Sequence, residues 1–571
     1  MESEPRRQLQ TIWFSSFLVE LGFPALVTGE RKGKERKGNM EMEIVAAESI
    51  GVGEDLTPPL SPIAYSLHDS FLPSHCANCF SPLPHPPPTS HHHHHHHHHH
   101  VLYCSPSCSS SHSPLHISSG AHLLSPDSST VQTSDLRVAL LLLLQIKPFK
   151  SYDRICGFMS NRNNLLTSTN HDDLSTRIKN GARAMAIALA SMTDEGFLLE
   201  EAVLCAVLTN AVEVQDRTGR SVGIAVYDTS FSWINHSCSP NACYRFLTPE
   251  TLTGDQRCLI TPASSQPIDF SDLLTGSAAG GPRIVVRSIK MIQKGEQVTI
   301  AYTDLLQPKE LRRSELWSKY RFTCCCHRCV AFPLTYVDQR LQESCGSNDL
   351  LTEYIDDAVH DYLSYNDAES CCKKLENALL NHEIRLHPQN YLALNTYTAL
   401  ASAYSSASSN AVEDGNGLKM KRFGAAYALL LALLTHDLFL YESSLIVSVS
   451  NYWIGAGESL VNLAKCIGDP VSRCGCGCDV LEEANYEEYK EQIFKCMSGI
   501  IKGGKVWKFL IVGNGYLEEV VKDLPLRWFE VLRVGDDSDG LEVFGLGAHC
   551  LLYGGILSKI SGGHLSCYVR V

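Results

Sequence analysis

A chain of 571 residues is too long for a single hydrophobic core, so its length predicts two to four domains. The formal net charge of −14 argues against a protein that holds DNA through its own net field, and no direct DNA binding is expected. The 23 cysteines cluster at metal-ligand spacings and no signal peptide is recognisable, which indicates a reducing compartment rather than a secreted disulfide scaffold.

The first part of the chain carries a leader and the start of a β-rich segment. Residues 1–39 end in the charged run GERKGKERKG and are expected to be a disordered leader. Residues 40–66 have the pattern of opening strands, with Gly53 and Glu54 at a turn. The apolar runs at 11–27 and 139–146 are too short or too interrupted to span a bilayer, so no membrane association is expected.

An insert at 67–120 carries two cysteine pairs. Cys76-x-x-Cys79 is followed, beyond a loop rich in Pro, Ser and His, by Cys104-x-x-x-Cys108. The alternatives for these cysteines are a zinc site and four free thiols in a disordered insert. The consecutive histidines at 91–100 can bind divalent metal nonspecifically, but we interpret them as a tolerated repeat on a surface loop.

Residues 121–340 form the largest predicted domain. The stretch 134–211 is mainly helical, because its apolar positions recur at helical spacing. A short β-rich run at 221–227 leads into FSWINHSCSPNACYRF at 231–246. After a polar insertion at 248–282, alternating β-branched residues predict further strands.

Three closely spaced cysteines, Cys324, Cys326 and Cys329, close this domain. A structural zinc ion takes four nitrogen or sulfur ligands in a tetrahedron, so these three need one more from elsewhere. Cys238, inside the polar run NHSC, is the candidate. One metal ion would then tie two segments that are far apart in the sequence, and its binding would be coupled to folding.

From residue 345 to 530 the apolar residues recur with a helical period. Helices are predicted near 349–365, 367–385, 390–408, 417–436 and 450–466, joined as antiparallel pairs. Ala393, Tyr397, Leu400 and Tyr404 fall on one face of their helix. Residues 531–571 are rich in glycine and have no assigned role. The predicted fold class is therefore α+β, with a β-rich part followed by a helical domain.

The motifs of the β-rich part resemble those of the SET-domain protein lysine methyltransferases, specifically the SMYD-like branch, including plant SET DOMAIN GROUP proteins. In that branch the SET domain is split by a MYND-type insert. The residues that carry the resemblance are Asn235, His236, Ser237, Cys238, Pro240 and Asn241, then Gly295, Glu296 and Tyr302, then Tyr320, Phe322, Cys324, Cys326 and Cys329.

The resemblance implies how the domains are built. The SET part would comprise 40–66 and 121–340, with a post-SET zinc site, and the helices at 345–530 would be TPR-like. A degenerate MYND-like finger at 67–120 would hold one Zn²⁺ through Cys76, Cys79, Cys104 and Cys108. His116 matches the histidine of the finger's second zinc site, whose cysteines are missing here.

The resemblance also implies a reaction, the transfer of a methyl group from S-adenosylmethionine to a lysine of a histone or another protein. Tyr302 would then be the catalytic residue. The residues implied to bind the methyl donor are Asn210, Asn235, His236, Tyr320 and Phe322. Asn210 can equally be a helix-ending asparagine, and Tyr302 a strand-end aromatic residue. A monomer in the nucleus is expected, with the cytoplasm as the alternative location.

One departure from the family pattern leaves a second interpretation open. Glu41 and Glu43 stand where the family has the glycines of a G-x-G-L motif, which let the backbone approach the methyl donor. The alternative function is a catalytically inactive SET-like protein that binds partner peptides through its SET and helical domains.

Overall fold

The computed structural model describes residues 43–84, 101–145, 154–155, 157–166, 173–189, 197–216, 220–247, 257–263, 280–342, 349–365, 367–381, 386–410, 416–467 and 540–561. The predicted leader, the histidine tract, Glu41 and most of the insertion at 248–282 lie outside these ranges. The described residues group into two compact units. One takes in those of 30–303 and 312–326, and the other takes in those of 304–311 and 327–571.

The first unit is built around short strands. These are β1 (Ile44–Ala46), β2 (Ala64–Leu67), β3 (Arg154–Ile155), β4 (Phe158–Met159), β5 (Val212–Gln215), β6 (Ser221–Val226), β7 (Asn235–His236), β8 (Ala242–Phe246), β9 (Ile260–Pro262), β10 (Ile284–Ser288) and β11 (Thr299–Ile300). β2, β6 and β5 form an antiparallel sheet with β6 in the middle. β1 pairs with β9, and β10 pairs with β8, so segments on both sides of the predicted insert meet in one domain.

Helices cover one face of the three-stranded sheet. Those before residue 233 are α1 (Pro106–Ser118), α2 (Thr133–Leu143), α3 (Arg162–Leu166), α4 (Asp173–Leu189), α5 (Leu198–Asn210) and α6 (Thr229–Ser232). Ile224 and Val226 of β6 pack into the apolar cluster of α2, α4 and α5. Ala225 and Tyr227, which alternate with them, pack into a second cluster formed by the other strands. The central strand is thus buried on both faces.

A parallel pairing brings the NHSC run next to the strand that precedes Tyr302. Asn235 and His236 of β7 lie opposite Thr299 and Ile300 of β11. The turn before β11 contains Gly295, whose φ of 79° is left-handed. Nothing lies within 4 Å of the point where a Cβ would stand, so this position needs glycine for its backbone conformation rather than for space.

The second unit is helical. After α7 (Lys309–Tyr320), the chain forms α8 (His327–Val330), α9 (Tyr336–Gln342), α10 (Asp349–Tyr365), α11 (Ala368–Asn381), α12 (Tyr391–Asn410), α13 (Asn416–Tyr441) and α14 (Ile446–Ile467). The five helices predicted from periodicity are confirmed as α10 to α14. Their ends differ by a few residues, because periodicity does not mark the caps. Ala393, Tyr397, Leu400 and Tyr404 are buried as expected.

A partly buried carboxylate joins three of these helices. Oε1 of Glu376 in α11 accepts hydrogen bonds from the hydroxyl of Tyr404 in α12 at 2.7 Å and from that of Tyr427 in α13 at 2.8 Å. α13 contains a segment long and apolar enough to cross a membrane by length and composition, but most of that segment is buried inside the unit. Its apolar character is accounted for by packing, because a helix that is hydrophobic all round can be a core helix.

The glycine-rich tail contains a helix that the sequence analysis did not predict. α15 (Gly540–Ser561) lies against α14, and Leu551 of α15 is buried with Ile454 and Val461 of α14. A Cβ at Gly457 would lie 2.6 Å from Cγ of Leu551 and 2.7 Å from its backbone nitrogen. The small residue therefore allows the two helix backbones to approach closely.

Gly455 and Gly457, two positions apart on α14, give a matched test of this packing. We expect Gly457→Ala to lower the melting temperature, because overpacking costs about 1–3 kcal/mol. Gly455→Ala should raise the melting temperature, because no atom lies within 4 Å of the added Cβ and alanine favours the helix. The expected gain in the free energy of unfolding is up to about 1 kcal/mol. Thermal unfolding of both variants measures this. A stabilising Gly457→Ala would show that α15 does not pack there.

Candidate active site and metal centres

Four cysteines from two distant segments meet at the first candidate metal centre. The sulfur atoms of Cys238, Cys324, Cys326 and Cys329 all lie within 4.8 Å of one another, and those of Cys238 and Cys324 are 3.9 Å apart. Zinc–sulfur bonds of about 2.3 Å in a tetrahedron separate neighbouring sulfurs by about 3.8 Å. The four thiols therefore fit a zinc ion, which they could hold as thiolates.

The second candidate metal centre lies in the insert. Cys76, Cys79, Cys104 and Cys108 also place their sulfurs within 4.8 Å of one another. The sulfurs of Cys79 and Cys104 are 3.5 Å apart, and those of Cys104 and Cys108 are 3.6 Å apart, close to the tetrahedral spacing. Ser105 caps α1 by accepting a hydrogen bond from the backbone nitrogen of Cys108 at 3.2 Å, which fixes the second pair of ligands.

His116 lies in a histidine stack instead of a metal site. Its ring packs on that of His112 with centroids 5.5 Å apart and an angle of 24°. Burial lowers the pKa of His112 to about 4 and that of His116 to about 3, so both are neutral at neutral pH. Within the described residues, the two four-cysteine groups are the ones whose ligand atoms gather closely enough to hold a metal.

Four rings form what we call the aromatic site: those of His236, Tyr302, Tyr320 and Phe322. The Tyr302 centroid lies 4.9 Å from that of Tyr320 and 5.4 Å from that of His236. Phe322 lies 6.0 Å from His236 and 6.3 Å from Tyr320. The structure thus brings together four of the six residues assigned to catalysis and donor binding, from segments well separated in the sequence.

Tyr302 is held at both its ends. Its hydroxyl donates to the backbone carbonyl of Ile234 at 2.6 Å, and its backbone N–H donates to Nδ1 of His236 at 3.0 Å. Burial raises the pKa of the Tyr302 hydroxyl, and the nearby Tyr320 and Tyr244 hydroxyls raise it further. Tyr302 is therefore a neutral hydrogen-bond donor at neutral pH and not a base.

The imidazole of His236 links Tyr302 to the first metal centre. Nδ1 accepts from the Tyr302 backbone, so the proton resides on Nε2, which lies 3.3 Å from the sulfur of Cys238. Both ring nitrogens are thus engaged within the chain. Any contribution of His236 to binding a methyl donor has to come from its ring face or its backbone.

Two asparagines that the sequence analysis assigned no role hold the site together. Asn241 accepts from the backbone nitrogen of Thr299 at 2.9 Å and donates to the carbonyl of Gln297 at 2.9 Å, which locks the end of the NHSC run onto β11. Asn161 donates to the carbonyl of Tyr320 at 2.6 Å. Its φ of 53° is left-handed, a conformation that asparagine tolerates better than most residues.

Asn210 and Asn235 are placed differently. Asn235 is in β7, directly before His236. The Asn210 amide donates to the carbonyl of Met159 at 2.9 Å and to that of Ala206 at 2.7 Å, so it fixes the end of α5 against β4. These bonds account for Asn210 as a helix-ending residue, and its contact with a donor stays a prediction. Glu43 begins the described chain beside β1, and its carbonyl accepts from the backbone of Ala263.

Acidic side chains lie beside the aromatic site. Nε2 of His68 is 3.0 Å from a carboxylate oxygen of Glu213, which also accepts from the hydroxyl of Ser221. Burial raises the pKa of Asp135 to about 6, and the charge of Glu213 raises it while those of Lys319 and His68 lower it. Glu213 also lines an open cleft of about 740 Å³. The charge of Glu213 raises the pKa of the Tyr320 hydroxyl, so this carboxylate is within electrostatic reach of the aromatic site.

The metal centres give the first prediction for this site. We expect protein purified without chelators to contain two zinc ions per chain by elemental analysis. Cys326→Ser should lose one ion and melt at a lower temperature, because a zinc ligand contributes folding free energy. Cys325→Ser is the matched control, because Cys325 is exposed and lies outside the four-thiol group. Equal zinc contents in these two variants would contradict the assignment.

The raised pKa of Asp135 gives a pH-dependent prediction. Since the folded pKa of about 6 exceeds the ordinary 3.8, ionised Asp135 destabilises the fold above pH 6, and this cost disappears as the pH falls to about 4. Asp135→Asn should therefore stabilise the protein at pH 7.5 by on the order of 2 kcal/mol and have little effect near pH 4. Thermal unfolding across this range, with Glu310→Gln as an exposed control, measures it. A pH-independent difference would argue against the burial of this carboxyl.

Comparison with known proteins agrees with the site's geometry. A family model of the SET domain matches residues 143–303, a range that contains Asn210, Asn235, His236, Cys238 and Tyr302. Protein SET DOMAIN GROUP 41 of Arabidopsis thaliana is 37% identical over an alignment of 580 positions, which covers 92% of this chain and 99% of that protein.

Two further relatives match more distantly. Histone-lysine N-methyltransferase SMYD3 of Mus musculus is 26% identical over 243 residues, 40% of this chain and 46% of that protein. Histone-lysine N-methyltransferase ASHR2 of Arabidopsis thaliana is 23% identical over 314 residues, 51% of this chain and 70% of that protein. The extent of the match to SET DOMAIN GROUP 41, together with the SET-domain match, establishes that the chain belongs to the SET-domain family.

Proposed function

We propose that this protein is an S-adenosylmethionine-dependent protein-lysine N-methyltransferase. The observation that carries the proposal is the arrangement of Tyr302, whose hydroxyl and backbone are both held while its ring lies against Tyr320 and His236. A fixed, neutral hydroxyl among aromatic rings suits a reaction that depends on alignment rather than on a general acid or base.

The chemistry asks for a neutral amine in line with an activated methyl group. S-adenosylmethionine would supply that methyl group on a sulfonium centre. A free lysine has a pKa of about 10.4, so deprotonation at neutral pH costs on the order of 4 kcal/mol. A buried aromatic environment lowers this cost by disfavouring the ammonium. Aromatic faces also accommodate a cation, so the rings of the aromatic site fit a sulfonium donor.

The chain's own residues then have separate tasks. The Tyr302 hydroxyl is held toward the Ile234 carbonyl and would orient the amine. Asn235, Tyr320 and Phe322 would contact the donor, and Asn210, whose amide is bonded to Met159 and Ala206, would do so through its remaining oxygen. The first metal centre would fix the distance between the NHSC run and the segment of Tyr320 and Phe322, since its ligands come from both.

The substrate we propose is a lysine of a histone or of another protein, because relatives such as SMYD3 and ASHR2 are named histone-lysine N-methyltransferases. A nuclear location and a monomeric state are proposed with it. A TPR-like helical domain is likewise a proposal, for which the antiparallel helices α10 to α14 are the support.

Tyr302→Phe tests the reaction directly. We expect the variant to bind S-adenosylmethionine as the wild type does and to lose most methyl transfer, because only the hydroxyl at the reacting centre is removed. Calorimetric titration and transfer of labelled methyl to core histones and a lysine peptide array measure the two properties. Tyr354→Phe, on the exposed side of α10, is the control and should change neither.

Binding of the donor decides between the enzyme and the alternative of an interaction protein without catalysis. Asn235→Ala should weaken donor binding several-fold, on the order of 1 kcal/mol for a lost hydrogen bond. If the wild type, folded and loaded with zinc, shows no detectable binding at millimolar S-adenosylmethionine, the proposal that it is a methyltransferase is wrong. The glutamates at the glycine positions of the family motif would then be the first explanation to test.

A further inference from the structure

Lys319 places a cationic side chain at the edge of the aromatic site. Its Nζ lies over the ring of Tyr320, 5.3 Å from the centroid. The Tyr320 centroid is 4.9 Å from that of Tyr302, so the two spacings together keep Nζ within about 10 Å of the Tyr302 ring. The lysine is exposed and is the second-to-last residue of α7.

Nearby carboxylates favour this position for a positive charge. The charge of Lys319 lowers the pKa values of both Asp135 and Glu213, which shows that its ammonium lies within electrostatic reach of both groups. Tyr320 itself contributes a cation–π contact. The ammonium therefore lies over an aromatic face and within electrostatic reach of negative charge, the two features that would also attract the lysine of an incoming substrate.

The end of α7 fixes the backbone while leaving the side chain mobile. The Tyr320 carbonyl accepts from Asn161, and Arg321 then reverses the chain with a left-handed φ of 57°. Lys319 is thus anchored next to a residue of the aromatic site. Its four methylene groups can change rotamer without moving the backbone, because the side chain is in solvent.

We propose that Lys319 is a site of self-methylation within the same chain. The inference rests on the proposed function, since it uses the same site and the same methyl donor. Lys319 differs from an external substrate only in being tethered, and tethering raises the effective concentration of the amine at the site.

The transfer balances without a further reactant. The ammonium of Lys319 first releases a proton to solvent. The lone pair of Nζ then forms the new N–C bond to the methyl carbon while the C–S bond breaks, and its electron pair stays on sulfur. A sulfonium becomes a neutral thioether, and the methylated amine already carries the positive charge, so the whole transfer releases one proton to solvent.

Methylated Lys319 would remain positively charged and would remain over the ring of Tyr320. Methylation of lysine retains the positive charge, and a methylated ammonium is bound by aromatic faces. The modified Lys319 stays over Tyr320, at the edge where an external lysine has to pass. Self-methylation would therefore compete with, and then modulate, the methylation of other substrates.

The first test follows methyl incorporation by peptide mass spectrometry. Purified full-length protein is incubated with S-adenosylmethionine alone, and the methylation of Lys319 is compared with that of exposed Lys294. We expect Lys319 to be modified at least about tenfold faster, with a fraction per unit time that does not depend on protein concentration. Lys319→Arg should remove the signal while core histones are still methylated.

The second test needs no methyl donor. An amine-reactive ester should label Lys319 about threefold more slowly than Lys294, because an ammonium seated on a ring must leave it to react. Glu213→Gln should bring the labelling rate of Lys319 closer to that of Lys294, because it removes a negative charge that attracts the Lys319 ammonium. Equal labelling of the two lysines in the wild type would show that Lys319 is not held over the Tyr320 ring, and the inference would fail.

The outcomes separate the inference from the function. If histones are methylated but Lys319 is not, or if its modification rises with protein concentration, self-methylation within the chain is wrong and the enzyme assignment stands. If the protein binds no donor and methylates neither histones nor Lys319, both are wrong.

Discussion

The imidazole of His236 connects two features that depend on each other. One nitrogen meets the sulfur of Cys238 and the other receives the backbone N–H of Tyr302. Cys238 in turn shares its metal centre with cysteines more than eighty positions later in the chain. A zinc ion there would set the position of the NHSC run, and through His236 the position of Tyr302. Because reactions that rely on alignment are sensitive to sub-ångström shifts, the site's geometry is only as firm as this connection.

The electrostatics of the site have two zones with opposite preferences. In and beside the aromatic site, burial keeps Tyr302 and the neighbouring Tyr244 protonated and disfavours any charge. At the edge, the charges of Asp135 and Glu213 attract positive charge, although burial and the charge of Glu213 raise the pKa of Asp135 to about 6. A lysine that moves from the edge inward passes from a place that favours its ammonium to one that favours its neutral amine. The proposed methyl acceptor would need this change in environment, because it must arrive as an ammonium and react as a neutral amine.

The sequence predicted those parts of the structure that depend on local spacing. Cysteine spacing indicated the first metal centre, the family resemblance implied the second, and helical periodicity located α10 to α14. The motif residues Tyr302, Tyr320 and Phe322 were placed in one site by resemblance, and the structure brings their rings together. The contact of Asn161 with Tyr320 and the cluster of Asp135, Glu213 and Lys319 could not be predicted, because each joins segments whose proximity arises only from tertiary packing. The left-handed asparagine at 161 left no pattern in the sequence that would distinguish it from a helical one.

The helix α15 was missed for a different reason, and its position bears on how the protein is made. Glycines lower its intrinsic helix propensity, so packing against α14 has to supply the missing stability. During synthesis, Ile454 and Val461 emerge from the ribosome about ninety residues before Leu551, a delay of several seconds at ordinary elongation rates. For that interval the apolar strip on α14 lacks its cover and is available to chaperones. A chain cut short before α15 would leave Ile454 and Val461 without the apolar cover that Leu551 provides, so loss of that helix would favour chaperone binding over release.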